Sequence, residues 1–207
     1  MRSNRIGLLG LLALISVATM ASAASAQGKF RGNVRVGGDF GGEKVLQFQY
    51  SDGSTPNVVA GAGLLFSAGA VMEAWNSGVH AAEAQLNVGV KYRTIPPASN
   101  QTADWIRVPV EGLMMYRAPG GIRVGGGVAL HLANTLQASG DVLNDKVTFK
   151  SQPGFLVQAE YVLRNKVSFD VRYTMMKYTV ESGGTGEVDA NSFGGGLSYW
   201  FGGPKAK

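Results

Sequence analysis

The sequence predicts an all-β fold, an eight-stranded antiparallel up-and-down transmembrane β-barrel. Three observations predict it. Apolar and polar residues alternate with a period of two through eight segments. The links between those segments are alternately tight and long, the rhythm of an up-and-down barrel with short turns on one side. No run reaches the roughly 18 apolar residues that would make a spanning helix.

The chain has 207 residues, 45% hydrophobic and 16% charged, with 30 glycines and no cysteine. That length suits one domain. The lack of cysteine excludes a disulfide scaffold, a thiolate metal site and a cysteine nucleophile. Arg2 and Arg5 precede an apolar run at 6–17, followed by Ala21-Ser22-Ala23 and Ala24-Ser25-Ala26. A positive start, a short apolar stretch and small residues are what a signal peptidase reads. Residues 1–26 are therefore expected to be a cleaved secretory signal peptide, and 27–207 an outer-membrane barrel domain. Without Arg2 and Arg5 the 19 basic residues fall to 17 against 14 acidic, a net charge of +3. So small and scattered an excess gives no reason to expect nucleic acid.

The expected strands are 30–40, 64–75, 82–93, 106–117, 122–132, 154–163, 166–176 and 187–201. In the first two, Arg31, Arg35, Gly37, Gly69 and Glu73 take the polar face. The third sets Ala84, Leu86, Val88 and Val90 against Glu83, Gln85, Asn87 and Lys91. The fourth sets Ile106, Val108, Val110, Met114 and Tyr116 against Arg107, Glu111 and Arg117. In the fifth, Val124, Val128, Leu130 and Leu132 oppose Arg123, Gly125, Gly127 and His131. The sixth opposes Phe155, Val157 and Tyr161 to Gly154, Gln158 and Glu160, and the seventh opposes Val167, Phe169, Val171 and Tyr173 to Ser168, Asp170 and Arg172. The last carries Gly194 and Gly196 on its polar face. Tight links fall at 76–78, 118–121 and 164–166; long ones at 42–63, 95–104, 137–145 and 182–186. Pro96-Pro97 and Gly183-Gly184 punctuate two of these. The longest contains a strand-like 45–50 and an Asp52-Gly53 turn, which suggests a protruding hairpin.

Two solvents could suit the apolar face. A soluble cup would expose it to water at roughly 25 cal/mol per Å². The polar face also holds the small residues, which fit the crowded interior of a narrow barrel. Lipid is therefore the better solvent outside, and a closed ladder satisfies the backbone that hydrocarbon would otherwise strand. Aromatics add support. Tyr116, Tyr161, Tyr199 and Phe201 end strands on one side, and Phe40, Tyr92 and Tyr178 on the other, as two interfacial girdles would. Pro109, which lacks a ladder donor, and Trp75, with inward parity, fit less well.

The final strand, Phe193-Gly194-Gly195-Gly196-Leu197-Ser198-Tyr199-Trp200-Phe201, resembles that of the small eight-stranded OmpA/OmpX-type outer-membrane barrels. The resemblance covers nearly all of the mature chain. It implies that Gly196, Tyr199 and Phe201 form a C-terminal insertion signal, read by periplasmic chaperones and the barrel-assembly machinery. Here residues 202–207 follow the aromatic, a departure from members that end on it.

The polar face carries Arg31, Arg35, Arg117, Arg123 and Arg172 together with Glu73, Glu83, Glu111, Glu160 and Asp170. Balanced opposite charges in a narrow lumen should pair, because an unpaired buried charge costs several kcal/mol. A salt-bridge plug is expected, with no catalytic residue, cofactor or metal. The alternatives are a narrow channel for small or hydrophobic solutes and a lipid A-modifying enzyme. For the enzyme, His131-Leu132-Ala133-Asn134 is similar to the His-x-Ser-Asn arrangement of outer-membrane lipid A deacylases, but Ala133 stands where the nucleophilic serine is required. His80 is the only other imidazole. Lys91, Arg93, Arg107, Lys146, Lys150 and Lys177 are placed near the outer rim, where lipopolysaccharide phosphates could meet them. Outer-membrane lipid and lipopolysaccharide are the expected surroundings, and the protein is expected to be a monomer.

Overall fold

The computed structural model describes residues 30–47, 55, 57–95, 101–140, 144–163, 166–182 and 185–202. The expected leader at 1–26, Pro96-Pro97, Asp52-Gly53, Arg164 and Gly183-Gly184 lie outside them. The described residues form thirteen strands: β1 (Phe30–Phe40), β2 (Lys44–Gln47), β3 (Asn57–Val59), β4 (Gly63–Ser77), β5 (His80–Ile95), β6 (Gln101–Arg117), β7 (Ile122–Gly140), β8 (Asp145–Ser151), β9 (Gly154–Val162), β10 (Val167–Met175), β11 (Lys177–Ser182), β12 (Glu187–Asp189) and β13 (Ser192–Gly202).

Eight of these close a ring, in the order β1-β4-β5-β6-β7-β9-β10-β13 and back to β1, every neighbour antiparallel. First and last strands zip together from Arg31↔Gly202 to Phe40↔Phe193. Both ends of the described chain therefore lie at one end of the barrel, called lower below. The lower turns are tight. Gly78 (φ +70°) turns β4 into β5, and a 3-10 turn at Pro119–Gly121, with Gly120 at φ +77°, turns β6 into β7. A left-handed backbone is where glycine costs least. No helix among the described residues is long and apolar enough to cross a membrane, a statement that bears on helices alone.

The upper end is built differently. β7 runs past the end of β9 and pairs with β8 instead (Thr135↔Thr148), and β11 and β12 continue the wall from there. Here the wall is β5-β6-β7-β8-β11-β12 and has an open side. The segment between β1 and β4 closes it. Glu43 N–H donates to the Asp189 carbonyl of β12 at 2.7 Å, and β3 lies against β5. The tip expected to protrude, at 48–54, lies outside the described residues, while the β2–β3 hairpin forms and its base packs inward. Its Val58 and Ala60 are buried against Trp105, Phe149 and Tyr178. Burial of apolar surface holds a hairpin of three and four residues that would be marginal alone.

Two misfitting residues find their explanation in the ladder. The β4–β5 register shifts between Glu73↔Glu83 and Trp75↔Ala82, so Ala74 is an extra residue on β4. A bulge of this kind flips the residues beyond it, and Trp75 points outward, 54% exposed. Pro109 is buried and pairs with His131 of β7, but the β5–β6 ladder is interrupted on its other side, between Val88↔Val110 and Lys91↔Arg107. The missing N–H thus falls where the ladder is already broken.

Candidate functional site: the lumen and its upper cup

The lumen is filled in tiers. In the lowest, Glu83 of β5 takes three arginines from three other strands: Arg31 of β1, Arg117 of β6 at 3.1 Å and Arg123 of β7 at 2.9 Å. Arg117 also reaches Glu73 at 2.9 Å, a half-exposed pair at the lower rim. Arg123 bonds Glu160 of β9, which also accepts from Ser168 and from Trp200 Nε1 (3.1 Å). The Arg31 and Arg123 guanidiniums lie over the Trp200 ring at 5.0 and 4.5 Å. Stacked cations of this kind stay attractive when desolvated.

In the middle tier, Arg35 of β1 grips Asp170 of β10 through Nε (3.0 Å to each oxygen) and Nη2 (2.7 Å). Arg172 pairs with Glu111, which also accepts from Asn87 at 3.3 Å. All ten of the charges singled out in the sequence are thus in ion pairs. Sequence reasoning missed one more pair above them, Lys91–Asp39 at 2.6 Å, both buried. Asp39 shares the odd parity of Arg31 and Arg35, a signal that could have found it.

Glycines make the room. A Cβ on Gly196 would lie 2.6 Å from Arg35 Nη2 and 2.8 Å from Asp170 Oδ2, and one on Gly194 would collide with the Asp39 carboxylate. Gly196 therefore has a local reason to be glycine. Of the other two residues singled out in this strand, Tyr199 is exposed on the outer face, while Phe201 lies across its partner Gly32, where a Cβ would collide with its ring.

Above Lys91 the lumen changes character, and several rim expectations are corrected. Lys91 and Arg107 are buried inside the barrel, not at a wet rim. Arg107 donates to the Ala60 carbonyl at 2.6 Å and to that of Ala62, and lies 4.6 Å over the Trp105 ring. It clamps the end of the hairpin to the wall. Tyr178 belongs to no outer girdle. It shares the even parity of Asp170 and Arg172, so it points inward, fully buried, and bonds His131 Nδ1. Phe40 and Tyr92 do lie exposed at the upper end. His80 Nδ1 meets Tyr116 Oη at 2.6 Å, at the lower end.

Over this floor an apolar cluster of Trp105, Leu136, Ala138, Phe149 and Val58 fills the mouth. The alternation of strand residues did not foretell it, because here the inward face is apolar too. A β6–β7 register shift between Ile106↔Thr135 and Val108↔Leu132, with Ala133 at φ +48°, resets which β7 residues face in. Between hairpin and wall lies a cavity of about 350 Å³. Among the described residues no cluster of histidine, aspartate and glutamate could hold a metal ion.

A closed eight-stranded ring with apolar flanks and an ion-paired interior finds its counterpart in one known family. The sequence model for the outer membrane protein beta-barrel domain matches residues 9–201. The chain belongs to that family. It is an outer-membrane β-barrel protein, and the family places it in the outer membrane. The solved structure of Ail, the attachment invasion locus protein of Yersinia pestis, bound to the heparin analogue sucrose octasulfate, aligns at a TM-score of 0.50 and 12% identity. It covers 84% of this chain and 99% of its own. The outer membrane protein AlkL, solved in lipid bilayers, aligns at 0.37 and 17% identity over 87% and 93%. At such identity the likeness to Ail shows the fold alone. No curated protein sequence matches the chain.

Proposed function

We propose that this family member is a non-catalytic, non-conducting barrel whose role is played at its upper surface. The observation that carries this reading is the tiered network of ion pairs across the lumen, from Glu83 through Asp170 and Glu111 to Asp39. Each carboxylate is engaged by an arginine or lysine and withdrawn from water, so none is free to act as a general base. The same pairs obstruct the bore, which eight strands already make narrow. Ala133 puts no hydroxyl where the serine of the deacylase arrangement would stand, and the His131 ring is bonded to Tyr178.

Residues 1–26 are a leader removed on export, and residues 27–207 act as one monomeric barrel. Lys146, Lys150 and Lys177 are exposed at the upper end and suit lipopolysaccharide phosphates, each worth about 1 kcal/mol near an anionic surface. Tyr199 and Phe201 offer outward aromatics to the periplasmic chaperones and the barrel-assembly machinery.

Single-channel recording in planar bilayers tests the reading. No steady conductance is expected from the native chain, and an ohmic step would favour the channel alternative. Mass spectra of lipid A from cells with and without the protein are expected to be identical; a change in acylation would make it an enzyme.

A further inference from the structure

We infer that the cavity at the upper mouth is a binding site for a small uncharged molecule with an unbranched alkyl chain, entering from the outer side. The inference goes beyond the reading above, since neither an obstructed lumen nor the lack of catalysis requires a ligand. The cavity, about 350 Å³, lies between β2 of the hairpin and the inner face of β7, β8, β11 and β12. That is near the lower end of the range of sites for small molecules.

Its lining carries the argument. Val45 and Leu46 face Leu136, Val147, Phe149 and Val180 across the gap. A void of this size would hold on the order of ten waters at ~30 Å³ each, and every one of them would want two to four polar partners. These six side chains provide none, and the polar groups of the lining belong to Glu43, Lys44, Asp145 and Thr185. An alkyl chain removes the same surface from water and asks for no hydrogen bond. Glu43, Lys44 and Asp145 stand among the lining residues with a net charge of −1, which disfavours an anionic head group. A hydroxyl or other neutral polar end suits them.

The site is also fixed in place. Arg107 holds the carbonyls of Ala60 and Ala62, and Glu43 is bonded to β12 through backbone and side chain, so both ends of the hairpin are tied to the wall. Phe149, in the lining, stacks on Trp105 at 5.1 Å between ring centres. Trp105 therefore reports on the cavity. The opposite face of β8 and β11 carries the exposed Lys146, Lys150 and Lys177 in place of an apolar band, so a free molecule, not a lipid tail, is the occupant.

The experiment uses the full chain in lipid nanodiscs with Trp75→Phe, which removes the outward-facing indole, and 10-bromodecan-1-ol as the quenching probe. Saturable loss of Trp105 emission, reversed by decan-1-ol, is expected. Val147→Phe and Val180→Phe, which fill the cavity, are expected to weaken the apparent affinity at least tenfold. Val157→Phe on the lipid face should leave it unchanged. A gel-mobility shift between unheated and boiled samples confirms that each variant is folded, and the two filling variants stand in for each other. Quenching that rises linearly without saturation, or is as strong in both filling variants as in the unfilled protein, overturns the inference as mere partitioning into the bilayer. Equal quenching by brominated lipid tails with no alcohol added overturns the free-molecule entry.

Discussion

Glu83 has no exposed side-chain surface and accepts from three arginines, so it is the residue on which the lower tier depends. Removing one partner of a buried pair leaves an uncompensated charge, at about 3–5 kcal/mol. Glu83→Ala takes a carboxylate from three guanidiniums at once, leaving Arg31 with none while Arg117 and Arg123 keep Glu73 and Glu160, and is expected to cost about that in urea unfolding from lipid vesicles. Glu73→Ala breaks only a half-exposed pair and should cost about 0–1 kcal/mol. Glycines sort in the same way. A Cβ at Gly127 would collide with the Gly112 carbonyl, whereas at Gly112 nothing lies within 4 Å. Gly127→Ala is therefore expected to destabilise by about 1–3 kcal/mol, and Gly112→Ala to be nearly silent in the same assay. Both glycines sit in strands of similar composition, and only their faces distinguish them.

At the scale of elements, irregularities decide what a strand presents. The extra Ala74 in β4 sends Trp75 outward, so Trp75 should be quenched by bilayers with brominated acyl chains, while Trp105 and Trp200 should not. Comparing emission of the native chain with Trp75→Phe in such vesicles checks it. If the native chain is no more quenched than the variant, the bulge assignment is wrong. Deleting Ala74 would remove the bulge and set Trp75 directly after Glu73, still on the outer face opposite Ala82, so its quenching by brominated acyl chains is expected to persist. The breaks at 152–153 and Met176 work on a larger piece. They divide two walls into a lower half that closes the ring and an upper half that wraps the hairpin. The hairpin then completes a wall that the strands alone leave open.

For the whole molecule, the vertical order matters: aromatic ends, ion-paired tiers, the Arg107 clamp and an apolar mouth. Buried pairs are poorly screened by salt. Raising ionic strength from 0.05 to about 1 M is thus expected to leave the unfolding midpoint of the barrel nearly unchanged, whereas a barrel held by exposed pairs would weaken measurably. Calorimetry or gel-shift temperature in matched lipid vesicles reads this. The obstruction and the cup lie in series, so a molecule can occupy the mouth without crossing the bore.

Residue patterning alone made legible the eight ring strands, their antiparallel closure, the polar interior of the lower barrel and the charges that fill it. Alternation with period two is a local property, and each segment reveals its two faces without reference to its neighbours. Only the tertiary structure decided which arginine meets which carboxylate, because those partners are separated by up to 135 positions and meet through ring closure. It alone decided the direction of Trp75, since a bulge is a matter of register between two strands. It also decided that the described base of the longest loop packs inward. Val58 and Ala60 carry no periodic signal of their own, and their burial depends on the wall that six other strands build around them.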